Sequence, residues 1–173
     1  HPEKVCALVN LAGPIDFSQG GLLHHMVDRR WFDSAAVAAA GNVAPSQMQQ
    51  GFSAMRPTLN LAKAAHLLDR AWDDEFLDGF MATERWGNDN VSFPGACYRR
   101  YIGDLYRDNA LVAGAMRLGG KPARLDAIDC PVLAVTFEHD HIVPTAAHHA
   151  AVALSVAALV FMATVSMLPV SYT

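Results

Sequence analysis

Two short apolar runs, far apart along the chain, have the pattern of buried β-strands. Residues 5–11 form the first run, which Gly13 and Pro14 bring to an end. Residues 132–137 form the second, a run rich in β-branched side chains that stops at Glu138. In both runs apolar residues fill consecutive positions instead of alternating with polar ones. We therefore predict two core strands, the first of them buried on both faces of a parallel sheet.

The segment between these runs has helical rather than strand periodicity. Residues 20–51 alternate apolar clusters with breakers at Gly41 and Pro45, which predicts short helices and loops. After Pro57 apolar residues recur at helical spacing, and the acidic run that begins at Asp73 predicts the start of a further helix. The middle of the chain is therefore expected to be a helical insertion.

Aromatic residues follow the helical spacing toward the end of this insertion. Tyr98, Tyr101 and Tyr106 lie along one stripe, which predicts a long amphipathic helix after Pro94. Such a set of rings, with Trp72 and Trp86 added, is more typical of side chains packed in a core or a cap than of a ligand-binding site. We interpret them as structural.

The order strand, helices, strand predicts an α/β fold with a parallel sheet at its core. The middle segment is too long for one crossover helix, so residues 18–118 are expected to form a helical cap above the sheet. Residues 1–173 then form one partial domain, whose last part, residues 150–170, is an atypical apolar tail.

The apolar tail leaves three interpretations open. A stretch of this length without charge has the hydropathy of a bilayer-spanning helix, so membrane contact by residues 150–170 is one of them. The second is a buried helix packed against the sheet. The third is a segment that is not native coding sequence, such as a shifted reading frame.

Charge and cysteine content narrow the classes of partner and compartment. The net charge is -4, and the 13 Lys and Arg residues form no basic footprint, so we exclude nucleic acid as a partner. The 3 cysteines are widely spaced and too few for a disulfide framework. A reducing, cytoplasmic setting is therefore expected.

The strongest candidate for catalysis is Asp140, which directly follows the second strand. In open α/β sheets, reactive groups gather where loops leave the carboxyl ends of strands. A carboxylate there can hold a histidine in one tautomer and stabilise its imidazolium form. The alternative is that Asp140 only caps the turn before Pro144.

Neither a metal site nor a nucleophile follows from the remaining candidates. The polar residues near the second strand match no known metal-ligand spacing, so we predict no metal and no cofactor. They are His139, Asp140, His141, His148 and His149. Cys6 is expected to be a buried hydrophobe within the first strand. Cys97 and Cys130 lack the Gly-x-Cys-x-Gly turn that exposes a nucleophile.

An ordered series of short motifs over roughly residues 1–150 resembles the polyhydroxyalkanoate synthases, nearest to the class with a short synthase subunit. The motifs are Gly13-Pro14-Ile15-Asp16-Phe17, Glu84-Arg85-Trp86 with Asp89, Phe93-Pro94-Gly95 with Tyr98-Arg99, Asp104-Leu105-Tyr106 with Asn109, Gly119-Gly120, Asp126-Ala127-Ile128 with Cys130-Pro131-Val132-Leu133, and Asp140-His141-Ile142-Val143-Pro144.

The resemblance implies an α/β-hydrolase fold with a mobile cap. It implies a cysteine thiolate that carries the acyl chain and a histidine that deprotonates the incoming 3-hydroxyacyl-CoA, and Asp140 matches the triad aspartate. It further implies a homodimer or a second synthase subunit as partner, in the cytoplasm or at the surface of a polymer granule. The family's nucleophile turn and its Gly-Gly-His segment do not occur in these residues, so we expect an incomplete chain that is inactive alone.

Two other functions stay open at this point. An esterase or thioesterase of the same fold would use the same acid residue and cap. An inactive, membrane-associated fragment would use the apolar tail for attachment.

Overall fold

The computed structural model describes residues 4–138, 140 and 142–148, and the backbone of residues 160–165. Within these ranges the strands are β1 (Leu8–Leu11), β2 (Asn42–Val43), β3 (Phe93–Pro94), β4 (Arg117–Leu118), β5 (Lys121–Pro122), β6 (Val132–Phe137) and β7 (Val160–Val165). The α-helices are α1 (Gly21–Met26), α2 (Ser34–Val37), α3 (Pro45–Met55), α4 (Leu59–Asp69), α5 (Asp74–Asn88) and α6 (Gly95–Arg100). A π-helical segment, Tyr101–Arg107, follows α6 directly.

A parallel sheet of strand order β1–β6–β7 organises the molecule. Leu8 pairs with Val132 at one end of the β1–β6 ladder, and Leu11 pairs with Val135 at the other. On its other side β6 pairs in parallel with β7. The prediction of an α/β fold with a parallel sheet is confirmed, and β6 has the predicted limits.

The prediction that the first apolar run is buried on both faces is wrong. The strand begins at Leu8, and Val9 and Leu11 are 63% and 65% exposed. The reason is that this face of the sheet is open: Val9 pairs with Leu133 of the central strand, which is exposed as well, so no layer among the described residues covers the face. The sequence pattern shows that a strand is apolar, but it does not show whether another layer of the structure packs on its faces.

The central strand β6 is buried on one face. Val132, Ala134 and Thr136 are buried, whereas Leu133 on the alternate face is exposed. Because successive side chains of a strand point to opposite faces, this alternation marks one packed and one open face of the described sheet.

The helical predictions for the middle segment hold. Short helices α1, α2 and α3 occupy the region in which breakers alternate with apolar clusters, and α4 follows Pro57. Asp73 caps α5, because its Oδ1 accepts a hydrogen bond from the N–H of Phe76 at 3.0 Å. The stripe of tyrosines lies on helical structure, although the hydrogen-bond pattern widens from α-helix to π-helix at Tyr101.

The aromatic residues divide into packed and exposed groups. The Phe17 ring meets Tyr106 edge-on with centroids 4.8 Å apart, and Tyr101 with centroids 6.1 Å apart. For these tyrosines the structural interpretation is confirmed. It is wrong for Trp72 and Trp86, which are 78% and 80% exposed because Trp72 lies between α4 and α5 and Trp86 lies on the outer face of α5.

The described residues form two compact units. The first comprises residues 4–34 and those from 99 onward, and it holds the three-stranded sheet. The second comprises residues 35–98 and holds helices α3, α4 and α5 with the antiparallel pair of β2 and β3. This helical unit falls within residues 18–118, whose role as a cap stays a prediction.

Part of the apolar tail has a defined structure. Residues 160–165 form β7, so a single helix through residues 150–170, whether buried or membrane-spanning, is wrong for this part. The remaining tail residues lie outside the described ranges. Among the helices that the structure does describe, none has the length and apolar character needed to cross a bilayer.

Candidate active site

Asp140 lies at the carboxyl end of β6, in a tight turn that its own side chain closes. The N–H of Asp140 donates to the carbonyl oxygen of Phe137, the last residue of the strand, at 3.2 Å. Its Oδ1 atom accepts hydrogen bonds from the N–H groups of Ile142 at 2.8 Å and Val143 at 2.9 Å. Both bonds use the same carboxylate oxygen, so the turn does not require Oδ2. The capping role that was the alternative from the sequence is therefore present. It does not exclude a catalytic role for the other carboxylate oxygen.

The loops that follow β1 and β6 meet at this same edge of the sheet. The N–H groups of Ile15 and Asp16, which follow β1, donate to the carbonyl oxygen of Ala147 at 2.9 and 2.8 Å. Ala147 is fully buried in the 3-10 turn Thr145–His148, shortly after Asp140. Because β1 and β6 are parallel neighbours, the backbone after each of them is held at one end of the sheet. This is the end at which ligand crevices open in α/β folds.

A hydrogen-bonded cluster around Asp16 supports that edge. The Asp16 carboxylate accepts from the Asn109 side-chain amide at 2.8 Å and from the Ser18 hydroxyl at 2.6 Å. The Oδ1 atom of Asn109 in turn accepts from the N–H of Phe17 at 3.1 Å. Burial raises the pKa of Asp16, but the hydrogen bonds from Ser18 and Asn109 outweigh it, so the pKa lies below its ordinary value.

Asn109 occupies a backbone conformation that suits few other residues. Its φ is 46°, in the left-handed region that asparagine tolerates better than most side chains. It lies just after the π-helical segment and thereby links that segment to the loop after β1. We assign Asn109 and Asp16 a structural role at the carboxyl edge.

The cysteines are divided between the two units, with Cys6 and Cys130 in the sheet unit and Cys97 in the helical unit. Cys6 precedes β1 and Cys130 precedes β6, so both lie at the amino edge of the sheet. The six residues of β6 span about 20 Å between that edge and the turn of Asp140. Cys6 is exposed and lies outside β1, so the expectation that it is a buried residue within the strand is wrong. Cys97 is an exposed residue of α6.

Of the histidines near Asp140, the structure describes only His148, which is fully buried. His139, His141 and His149 lie outside the described ranges. Within those ranges no three His, Cys, Asp or Glu side chains are grouped so that they could hold a metal ion.

Comparison with known proteins shows which family this chain resembles. No family model matches the chain. Curated relatives do match, and each bears the name poly(3-hydroxyalkanoate) polymerase subunit PhaC. The relative from Thiocystis violacea is 33% identical over 146 residues, which is 83% of this chain and 41% of the relative. That from Allochromatium vinosum is 32% identical over 152 residues, 87% of this chain and 42% of the relative.

A third relative is similar over a comparable share of the chain. The relative from Haloferax mediterranei is 31% identical over 146 residues, 83% of this chain and 30% of the relative. The chain is a PhaC-like sequence. The resemblance inferred from the ordered motifs is thus confirmed. The chain spans 30% to 42% of the length of these PhaC relatives.

The PhaC-like motifs now have structural positions. Asp16 and Asn109 belong to two separate motifs, and the fold joins them by a direct hydrogen bond although they are 93 positions apart. Sequence reasoning named both residues but did not foresee their contact. The only feature of the sequence that related the two residues was that both belong to the ordered series of PhaC-like motifs. The catalytic role of Asp140 stays a prediction.

Proposed function

We propose that this chain supplies the acid-bearing strand and, in residues 18–118, the helical cap of a polyhydroxyalkanoate synthase-type acyltransferase with the α/β-hydrolase fold. The substrate is a 3-hydroxyacyl-CoA, and Asp140 is the triad aspartate. The similarity to PhaC supports a polymerising acyltransferase reaction. The single structural observation that supports the role of Asp140 is its place at the carboxyl end of β6, with Oδ2 not required by the turn.

The chemistry assigned to Asp140 is to orient a histidine. A thiolate attacks the acyl-CoA carbonyl, CoA leaves as a thiolate, and the acyl group is held as an enzyme thioester. Histidine then takes the proton of the hydroxyl that attacks this thioester, and the carboxylate of Asp140 stabilises the imidazolium that forms. The two bonds to Oδ1 fix the carboxylate so that Oδ2 can accept from the imidazole N–H.

We propose that neither the nucleophile nor the histidine belongs to residues 1–173. Cys6 and Cys130 lie at the amino edge of the sheet, about 20 Å from the turn of Asp140, so neither is placed to act with it. Residues 1–173 alone are then expected to turn over no acyl-CoA. The complete enzyme would act in the cytoplasm or at the surface of a polymer granule, as a homodimer or with a second subunit.

The test separates catalysis from capping at Asp140. In a full-length PhaC that carries this sequence, Asp140→Asn keeps an oxygen for the N–H groups of Ile142 and Val143 but removes the charge. We expect the melting temperature to stay near that of the wild type, and CoA release from 3-hydroxybutyryl-CoA to fall by roughly ten-thousand-fold. Asp140→Ala should lower both the melting temperature and the CoA release, because it also removes the oxygen that caps the turn.

Val143→Ala is the matched control, since it shortens a side chain of the same turn but keeps the backbone N–H that donates to the carboxylate. It should retain most of the turnover. An Asp140→Asn enzyme with wild-type CoA release would reduce Asp140 to a turn cap and refute the proposal. Release of free 3-hydroxy acid without polymer by the wild type would instead identify a thioesterase.

A further inference from the structure

Two cysteines occupy matching positions at the amino edge of the sheet. Leu8 of β1 pairs with Val132 of β6, and the N–H of Leu8 donates to the carbonyl oxygen of Pro131 at 2.9 Å. Cys6 lies two positions before Leu8, and Cys130 lies two positions before Val132. Both cysteines lie in bends just outside the paired residues, and continuing the register of the ladder by two positions would set them opposite one another.

The spacing of neighbouring strands suits a disulfide. Hydrogen-bonded strands lie about 4.8 Å apart. Disulfides join residues whose Cα atoms are about 4.4–6.8 Å apart. The two chain segments have left the regular ladder at these positions, so each backbone can adjust to bring the sulfur atoms together. Both thiols are free, Cys6 is exposed and Cys130 is half-buried, so reagents in solution can reach them.

We propose that Cys6 and Cys130 form a redox-active pair that a low-molecular-weight disulfide oxidises to an intramolecular bond. The thiolate of one cysteine attacks the S–S bond of the oxidant, forms a mixed disulfide and releases one thiol. The thiolate of the other cysteine attacks the protein sulfur of that mixed disulfide and releases the second thiol. The pair gives up two electrons and two protons, and the oxidant becomes two thiols. A dithiol reverses the reaction.

The bond would fasten the edge strand to the centre of the sheet. β1 pairs with no strand other than β6 among the described residues, and its apolar side chains Val9 and Leu11 are exposed. An edge of this kind is where a sheet frays or pairs with another chain. A covalent link before β1 restricts its separation from β6. The pair lies at the opposite edge from Asp140, so the inference does not depend on the proposed function.

The experiment uses the 173-residue chain with oxidised glutathione, and it counts free thiols and measures the intact mass. The Cys6–Cys130 bond should remove two hydrogens from the wild type, and the exposed Cys97 should add at most one glutathione. Cys97→Ser is the matched control, because it removes the exposed cysteine of α6. It should fall from two free thiols to none with the same mass loss. Cys6→Ser and Cys130→Ser each keep Cys97 and one cysteine of the pair, so they should form no internal bond and take up as many as two glutathiones.

A second measurement does not depend on the oxidant. Dibromobimane becomes strongly fluorescent only when it bridges two nearby thiols, so the native wild type and Cys97→Ser should become fluorescent, and Cys6→Ser and Cys130→Ser should not. Far-UV circular dichroism of each variant shows that it has folded. The oxidised wild type should melt several degrees above the reduced form. Separate glutathione adducts on Cys6 and Cys130, or fluorescence that requires Cys97, would overturn the proposal.

Discussion

The sheet unit and the helical unit of this chain bury their apolar residues to very different extents. Most of the buried hydrophobic residues belong to the sheet unit: Phe17, Val27, Ile102, Tyr106, Ala110, Val132, Ala134 and Ala147. Among the described residues of the helical unit, the buried hydrophobic ones are Val43 and Met55. Both units expose large apolar side chains, so the contrast lies in the buried ones; those that the helical unit exposes are Phe52, Leu61, Leu68, Trp72, Met81, Trp86 and Val91.

The difference teaches that the two units are stabilised by different interactions. Burial of apolar surface is the dominant favourable contribution to folding, and the sheet unit has most of it. The helical unit relies more on polar contacts, such as the Asp73 cap of α5 and the ion pair of Lys63 in α4 with Glu84 in α5 at 2.6 Å. Isolated helices of this length are marginal without packing. The helical unit is therefore expected to unfold at lower denaturant concentration.

The largest effect should come from removing an aromatic ring of the sheet unit. Phe17 is 3% exposed and packs against Tyr101 and Tyr106, so Phe17→Ala should lower the free energy of unfolding by about 3–5 kcal/mol. Trp72→Ala, which removes a larger but exposed ring from the helical unit, should change it by less than about 0.5 kcal/mol. Urea unfolding followed by circular dichroism measures both. Equal losses would show that the contrast between the units is wrong.

A smaller effect is expected from a close backbone contact within the helical unit. A Cβ atom on Gly95 would lie 1.9 Å from the carbonyl oxygen of Gly41, which belongs to the backbone and cannot rotate away. Gly95→Ala should therefore destabilise the helical unit by about 1–3 kcal/mol. Gly79→Ala is the matched control in α5, where a Cβ meets no atom within 4 Å, and it should stabilise by about 0.5–1 kcal/mol.

Hydrogen exchange of α5 amides separates the two glycine variants. Faster exchange is expected for Gly95→Ala, and slower exchange is expected for Gly79→Ala. If exchange were slower in both variants, the clash of residue 95 with Gly41, next to the β2–β3 pair, would have no effect on α5, and the predicted destabilisation would be wrong.

The smallest effect concerns acid stability at the carboxyl edge of the sheet. The folded pKa of Asp16 lies below its ordinary value of 3.8, so its contribution to stability is present above that pH and is lost as the pH falls through the folded pKa. Solvent screening keeps the effect small. Asp16→Asn should flatten the fall in melting temperature below pH 3.8. Ser18→Ala removes one of the lowering hydrogen bonds, so the folded pKa should rise toward 3.8, and the fall should become smaller and end at higher pH.

Melting curves at closely spaced pH values provide the measurement. Parallel curves for the wild type and Asp16→Asn throughout the acid range would show that Asp16 does not titrate differently in the folded and unfolded states.

Local features of this protein followed from its sequence because they depend on neighbouring residues. The six apolar residues of β6 and the polar stop after them predicted the strand and the position of Asp140 at its carboxyl end. The acidic residues after Trp72 predicted the start of α5, since a cap acts within one turn. The ordered motifs predicted the PhaC family, because a series of short matches in the same order is specific.

Only the tertiary structure decided which surfaces are covered and which distant residues meet. The apolar run of β1 has the composition of a core strand, but its exposure depends on whether another layer packs on the face that it shares with Leu133. The contact of Asp16 with Asn109 depends on a turn far along the chain, and the pairing of Leu8 with Val132 depends on the parallel sheet. A hydrophobic pattern specifies the local conformation of a segment, whereas its burial and partners depend on the free energy of the whole fold.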